Sequence, residues 1–419
     1  MTTPGGAVAD GAPAGRPGPG WGVLVARLAV AVLGRLLLNT ARRFPYPFAP
    51  VLQRGLGVSL PAVTSLIAVS QATSFLSPLF GPLGDRWGQR SLMLGGLWLL
   101  AAGMLGAGAI ATYGAVLAGI FLAGLGKSIF DPAVQAYVGE QVPYRRRGFA
   151  IGLVELAWSG AALLGIPIVG LLIAAWGWRA PFLVLGALAL VAALALARVL
   201  PRWGHRPGRS SPRGVWAGWG ALLREPAACS ALGFGFFLSA ANDNLFVVYG
   251  VWLEGSFGLG VAALGAATVA IGAAEVGGEL LTALASDRMG LRRAVLGGTA
   301  VAAVGYALLP LSGASLPASL GGLFLVFLVY EFAIVTSFSL MTEVLPRARA
   351  TMLSAYVAAL GAGRLVGALA GGPVWLAGGL PLTGLVSAGL TAAAWVCLAR
   401  GMRGWAPAGA AGDPLPPME

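Results

Sequence analysis

The sequence predicts an all-α membrane protein of twelve transmembrane helices, built as two pseudo-symmetric six-helix bundles. Three observations lead there: an apolar composition, a recurrence of membrane-length apolar stretches, and a repeat at half the chain length. Of 419 residues, 58% are hydrophobic and 10% charged, and the mean hydropathy is +0.83. A water-soluble chain carries roughly 25% charged residues, so this composition suits lipid. Backbone amides cannot stay unpaired in hydrocarbon, which makes helices the spanning form for apolar stretches of this length.

Stretches long enough to cross a hydrocarbon core of about 30 Å run near 22–48, 60–82, 91–111, 114–139, 148–175 and 179–200. Six more run near 226–253, 261–284, 293–311, 317–343, 350–376 and 381–400. They form an N-terminal bundle, 22–200, and a C-terminal bundle, 226–400. Residues 201–225, rich in Pro, Gly and Ser, are expected to be a flexible cytoplasmic linker. Residues 1–21 and 401–419 are expected to be disordered cytoplasmic tails. No basic stretch precedes a short apolar core, so no cleavable signal is expected. Arginine sets the orientation. Arg86, Arg90, Arg145, Arg146, Arg147 and the Arg residues of the linker share one side, whereas the opposite loops hold only Arg54 and Arg179. The positive-inside bias then puts both termini in the cytoplasm and the chain in a plasma (inner) membrane. It also accounts for the net charge of +12 without a nucleic-acid partner.

A shift of 203 residues sets Asn39 against Asn242, Tyr46 against Tyr249, and Gly55-Leu-Gly-Val58 against Gly258-Leu-Gly-Val261. The same shift sets Glu140, Pro143 and Arg146 against Glu343, Pro346 and Arg349. The first helix therefore corresponds to the seventh and the fourth to the tenth, as parallel six-helix repeats. Two short charged turns, GPLGDRWGQR at 81–90 and ALASDRMGLR at 283–292, fall at equivalent places.

The turn at 81–90 resembles the signature loop between helices two and three of the major facilitator superfamily, G-x-L-x-D-R-x-G-x-R. Gly81, Leu83, Asp85, Arg86, Gly88 and Arg90 match it, and the second copy keeps Asp287, Arg288, Gly290 and Arg292. With the helix count, the resemblance covers residues 22–400 and implies a carrier working by alternating access. It also implies a cytoplasmic gate, in which the Asp caps a helix of the other half and the Arg residues pair with an acid at the base of helix four. Here that means Asp85 against the start of helix eleven and Arg86 or Arg90 with Glu140; Glu343 takes the place of Glu140 in the second copy. Two other signatures depart from the family: Ile120 stands where many members carry Arg four residues before Gly124, and the Gly-Pro pair of helix five is split as Gly165-Ile-Pro167. The resemblance is to the superfamily more than to a branch.

Eleven ionisable residues fall at membrane depth: Arg35, Arg42, Arg43, Lys127, Asp131, Glu155, Asp243, Glu275, Glu279, Glu331 and Arg364. Helices three, six, nine and twelve carry none. Each such charge costs about 2.5–3.5 kcal/mol by insertion scales, so each is expected to face protein or water. The remaining eight helices are then expected to enclose a polar cavity. Arg35, Asn39 and Arg42 share a stripe on helix one, with Arg43 beside it and assigned to the outer mouth. Lys127 and Asp131 sit four apart and can pair; Glu275 and Glu279 repeat the spacing with like charges and raise each other's affinity for protons, while Asp131, Glu155 and Glu331 are the acids expected to handle protons. Lys127 is the only lysine among 27 basic side chains, and a desolvated Lys can lose its proton where Arg cannot. Asn242, Asp243 and Asn244 are expected to complete the cavity, with Tyr46, Trp158, Tyr249, Tyr330 and Tyr356 as wall residues. Pro132, Pro167 and Pro373 are expected to bend helices four, five and eleven.

One histidine, His205, and two cysteines, Cys229 and Cys397, form no nucleophile–His pair and no metal spacing, so neither an enzyme nor a cofactor is expected. The expected function is secondary active transport of a small organic solute, anionic or amphipathic, by alternating access. Proton coupling is expected, export is favoured, and a monomer is anticipated. A lipid or lysolipid flippase and a non-transporting membrane receptor are the alternatives on the same fold.

Overall fold

The computed structural model describes residues 21–76, 80, 87–142, 146–201, 222, 224–345 and 349–403; the side chains of residues 21, 140, 147–149, 287 and 350 fall outside that description. Residues 1–20 and 404–419 of the expected tails, most of the linker, and Gly81, Asp85 and Arg86 of the gate therefore lie outside the described residues, whereas Trp21 and Gly401, expected in the tails, belong to helices. Among the described residues every regular element is helical.

Ten helices are long and apolar enough to cross a bilayer. One of these, Arg349–Gly401, is two helices joined where Gly378 and Gly379 leave helical geometry. With the shorter Leu60–Ala72 and its 3-10 extension Thr73–Leu76, the described residues give twelve spans. The first six are α1 (Trp21–Arg43, resuming as Ala49–Leu56), α2 (Leu60–Ala72), α3 (Gln89–Ile110), α4 (Tyr113–Gln141), α5 (Arg147–Gly160, continuing through Ile166–Trp176) and α6 (Ala180–Val199). The second six are α7 (Pro226–Phe246, resuming as Tyr249–Phe257), α8 (Val261–Met289), α9 (Leu291–Leu308), α10 (Leu316–Val344), α11 (349–377) and α12 (380–401).

The repeat is visible in backbone detail. α1 breaks over Phe44–Phe48, where Pro45 and Pro47 lack the N–H a helix needs, and α7 breaks at the equivalent Val247–Val248. Gly88 and Gly290 open α3 and α9 with φ of +81° and +79° and extended ψ, a region open essentially to glycine alone. Gly57 and Gly258 end the second pieces of α1 and α7 in the left-handed region. These two pair at a shift of 201, so the Gly55-Leu-Gly-Val58 match at 203 is two residues out of structural register. The left-handed cap needs a glycine, and that requirement outweighs the run of identities. Of the prolines expected to bend spans, Pro167 follows a π turn at Ala161–Gly165 in α5, where the helical ladder is already relaxed. Pro132 and Pro373 sit inside helices that continue through them.

Lipid offers no hydrophobic drive between helices, so close packing through small residues takes its place. In α3 and α4, a Cβ on Gly103 would lie 2.7 Å from the Gly119 carbonyl oxygen, and in α11 one on Gly371 would lie 2.7 Å from that of Asn244 in α7. Large apolar side chains of α3, α6, α9 and α12 face outward, among them Trp98, Val191, Val304 and Leu385. These peripheral spans also reach inward. Tyr306 of α9 donates to Asn242 Oδ1 at 3.2 Å, and Asn244 donates to Thr383 O and Ser387 Oγ of α12 at 3.2 and 3.0 Å. Asn244 thus serves packing inside the second half.

The two halves meet on the side away from the termini. α2 lies on α11, with Gly372 against Thr64 and Pro61, and α5 lies on α8, with Gly170 against Val261 and Gly265. At that end Arg54 of α1 forms a two-pronged ion pair with Glu254 of α7, at 2.9 and 2.7 Å.

Candidate functional site

The membrane-depth charges separate into two groups rather than one. The first is confined to the N-terminal half. Arg35 of α1 contacts Asp131 of α4 at 3.1 Å and Glu155 of α5 at 3.0 Å, and Lys127 reaches the other Asp131 oxygen at 2.5 Å. Arg35 also donates to the Val154 carbonyl at 2.7 Å. The i, i+4 spacing of Lys127 and Asp131 produces their pairing directly, since such residues stack on one helix face. Asn39, one turn along α1, donates to the Ala157 carbonyl at 2.9 Å and ties α1 to α5.

The second group surrounds a narrow chamber between the halves. From the first half come Arg42, Arg43 and Tyr46 of α1, Gln71 of α2 and Trp158 of α5. The second half supplies Asn242, Asp243 and Phe246 of α7, Glu275 of α8, Phe327, Tyr330 and Glu331 of α10, and Arg364 of α11. Arg43 makes a two-pronged ion pair with Glu275 across the chamber, at 3.0 and 2.6 Å. It is 2% exposed, so its assignment to an outer mouth is corrected: beyond Arg43 the chain continues through a proline-broken turn into a further helix, and the side chain stays inside. A hydrogen-bonded chain also crosses the halves. Arg42 donates to Gln71 Oε1, Gln71 Nε2 donates to Tyr46 Oη at 2.5 Å, and Tyr46 donates to Asp243 Oδ1 at 2.8 Å. Arg364 Nε stands 3.9 Å from Asp243 Oδ2.

Trp158 is the wall shared by the two groups. Its ring centroid lies 4.5 Å from the Arg43 guanidinium, 5.6 Å from Lys127 Nζ and 5.8 Å from the Arg364 guanidinium. Three cations within about 6 Å of one indole use the negative ring face that favours cations. On α8, Gly278 admits α10: a Cβ there would lie 2.6 Å from Glu331 Cβ. Glu331 is thereby held beside the acidic face of Glu275 and Glu279, and Glu279 approaches Ser159 Oγ at 3.5 Å.

Of the residues expected in one cavity, Arg42, Asn242, Asp243, Glu275, Glu331 and Arg364 line the chamber. Arg35, Lys127, Asp131 and Glu155 saturate one another behind Trp158, and Asn39 is turned to backbone. Tyr46, Trp158 and Tyr330 are wall residues as anticipated. Tyr249 and Tyr356 instead bond Thr268 and Ser337 at 2.9 and 2.7 Å within the second half. Gln71, Phe246 and Phe327 escaped the sequence reading. Gln71 carries a readable signal, an amide inside an apolar helix, which obeys the same desolvation rule as a charge at lower cost.

At the gate, Arg90 donates to the Ala197 and Leu200 carbonyls at 2.7 and 3.0 Å. The C-terminal turn of α6 leaves carbonyls without helical partners, and a guanidinium there also meets the negative end of the helix dipole. Glu140, its expected partner, has its side chain outside the described residues, as does Asp287. Glu343 stands 3.6 Å from Arg349. Arg288 is exposed and Arg292 half-buried.

Twelve helices in two repeated halves around a shared ionised chamber define a multi-pass membrane transporter. The family model of the Major Facilitator Superfamily matches residues 31–251, just over half the chain, and the protein belongs to that superfamily. The uncharacterized MFS-type transporter YceJ of Bacillus subtilis is 27% identical over 323 residues, covering 77% of this chain and 82% of that one. The bacillibactin exporter of Bacillus subtilis is 30% identical over 157 residues, 35% of this chain and 38% of that protein. The solved D-xylose–proton symporter superposes with a TM-score of 0.72 at 16% identity, over 90% of this chain and 97% of that chain, a likeness of fold. As in the superfamily, the substrates are small molecules and the chain is not an enzyme.

Proposed function

We propose that this transporter is a proton-coupled secondary carrier that exports a small organic solute by alternating access. The observation that supports it best is the buried Arg43–Glu275 pair, which joins opposite walls of a chamber lined by both halves. Such a pair forms in one relative arrangement of the halves and breaks in another, as a rocking carrier requires. In this reading residues 22–200 and 226–400 move as units joined by 201–225, and the loops at 81–90 and 283–292 gate the cytoplasmic side. The Arg-rich face lies in the cytoplasm with both termini, the membrane is the bacterial inner membrane, and the monomer is the working unit. Asp243, Glu275 and Glu331 handle protons, because they line the chamber while Asp131 is held by two cations. Export is favoured by the name of the bacillibactin exporter.

Purified protein in proteoliposomes, preloaded with pooled organic solutes, tests the proposal. Counterflow that accelerates when the trans side is acidified is the expected result. Counterflow indifferent to an imposed pH gradient removes proton coupling, and binding without counterflow removes transport.

A further inference from the structure

We propose that the chamber takes a small organic monocarboxylate with a flat or branched apolar body, its carboxylate held between Arg42 of one half and Arg364 of the other. The inference deepens the carrier reading and rests on it for its transport consequence, though not for binding itself.

Arg42 is 8% exposed, and its guanidinium touches only neutral oxygens, Gln71 Oε1 and Ser74 Oγ. Its Nε has no hydrogen-bond partner. Among the described residues no carboxylate lies within ion-pairing distance of it. Arg364 shares the condition. Its Nε also lacks a hydrogen bond, and its ion pair with Asp243 is stretched to 3.9 Å. Asp243 makes no ion pair with Arg42; its second oxygen accepts from Tyr46 instead. Arg43 Nε also lacks a partner, but Glu275 holds both terminal nitrogens of Arg43, which leaves it no rival for a ligand.

Two guanidiniums, each with five N–H donors, therefore face one chamber with too few acceptors. Arg42 is a buried cation without an anion, which is costly, Arg364 is half-buried with a stretched pair, and a carboxylate supplies two oxygens in the geometry guanidinium prefers. The remaining wall specifies the body: Trp158, Phe246, Phe327 and Tyr330 offer apolar faces, and so narrow a chamber admits only a small molecule. Asp243 and Glu331 in the same wall oppose a second negative charge, which excludes dianions. Because Arg42 and Arg364 belong to opposite halves, one carboxylate draws the halves together as it binds.

Detergent-purified full chain is titrated with benzoate, phenylacetate and isovalerate, with benzamide as the neutral isostere and with inorganic phosphate. Thermal stabilisation and calorimetry provide the readouts. The expected result is stabilisation by at least one carboxylate and by neither benzamide nor phosphate. R42Q and R364Q should each weaken that binding by about thirtyfold or more, while R54Q, remote from the chamber, should leave it unchanged. R364Q is the safer variant for folding, since Arg364 is only half-buried. The inference is overturned if no carboxylate stabilises, if benzamide or phosphate matches them, or if R364Q binds as the parent does. Arg-dependent carboxylate binding without any counterflow would sink the carrier reading and leave this one standing. Counterflow of another solute, undisturbed by all three carboxylates, would do the reverse.

Discussion

The two charged groups on either side of Trp158 use the same residue types to opposite effect. Behind Trp158, Arg35, Lys127, Asp131 and Glu155 all belong to the first half, and each cation there has an acid within 3.1 Å. In front of it, the chamber mixes both halves: Arg43 and Glu275 are paired, whereas Arg42 and Arg364 are left short of acceptors. A group closed within one rigid half can be fully satisfied, because its geometry never changes. In the proposed rocking carrier, a group shared between the halves is not satisfied in every state, and its unmet valence is available to a ligand. In the proposed carrier, the first cluster is scaffold and the second is machinery.

The comparison is broken most severely by Asp131→Ala. Lys127 and Arg35 both lose the acid between them inside one half, where no motion relieves the loss. Removing one partner of a buried pair costs about 3–5 kcal/mol, so the variant should melt far lower or fail to accumulate, as measured by thermal unfolding in detergent. Glu275→Gln comes next. The loss falls only on the arrangement in which the halves meet, so about 1–3 kcal/mol should appear as a shifted conformational equilibrium rather than as unfolding. Counterflow should drop about tenfold or more while the melting temperature moves little. Gln71→Leu sharpens the contrast at smaller scale, since it strips Arg42 and Tyr46 of a shared neutral partner. A loss of about 1–3 kcal/mol for groups left unbonded should read out mainly as weaker ligand binding. Arg54→Gln should be mildest. The Arg54–Glu254 pair joins the halves, but Arg54 is 60% exposed, and exposed pairs contribute about 0–1 kcal/mol. The variant should resemble the parent protein at high salt in transport assays.

Which parts were readable from the sequence follows the same division. The spans were legible because lipid forces apolar length and helical form together, and Lys127 with Asp131 was legible because i, i+4 spacing is local. Gly88 and Gly290 were legible as a repeated turn, and their positive φ supplies the reason. The Arg43–Glu275 pair was not legible: its members are 232 residues apart, and only the packing of one half on the other brings them together. Arg43 reads at membrane depth, but a helix end beside two prolines gives no sign of how far its side chain turns inward. Splitting the charges into two groups required knowing that Trp158 stands between them. Gln71 carries no charge to mark it, although a buried amide follows the same physics more quietly.

In the proposed carrier, the Arg43–Glu275 pair inside the chamber holds closed the end away from the termini. Spin labels at Ser59 and Gly260, exposed positions at that end of each half, report the separation directly by pulsed dipolar spectroscopy. The parent protein should give a dominant short distance, and Glu275→Gln should add a longer population in the same folded sample. An unchanged distance distribution in Glu275→Gln would contradict the account.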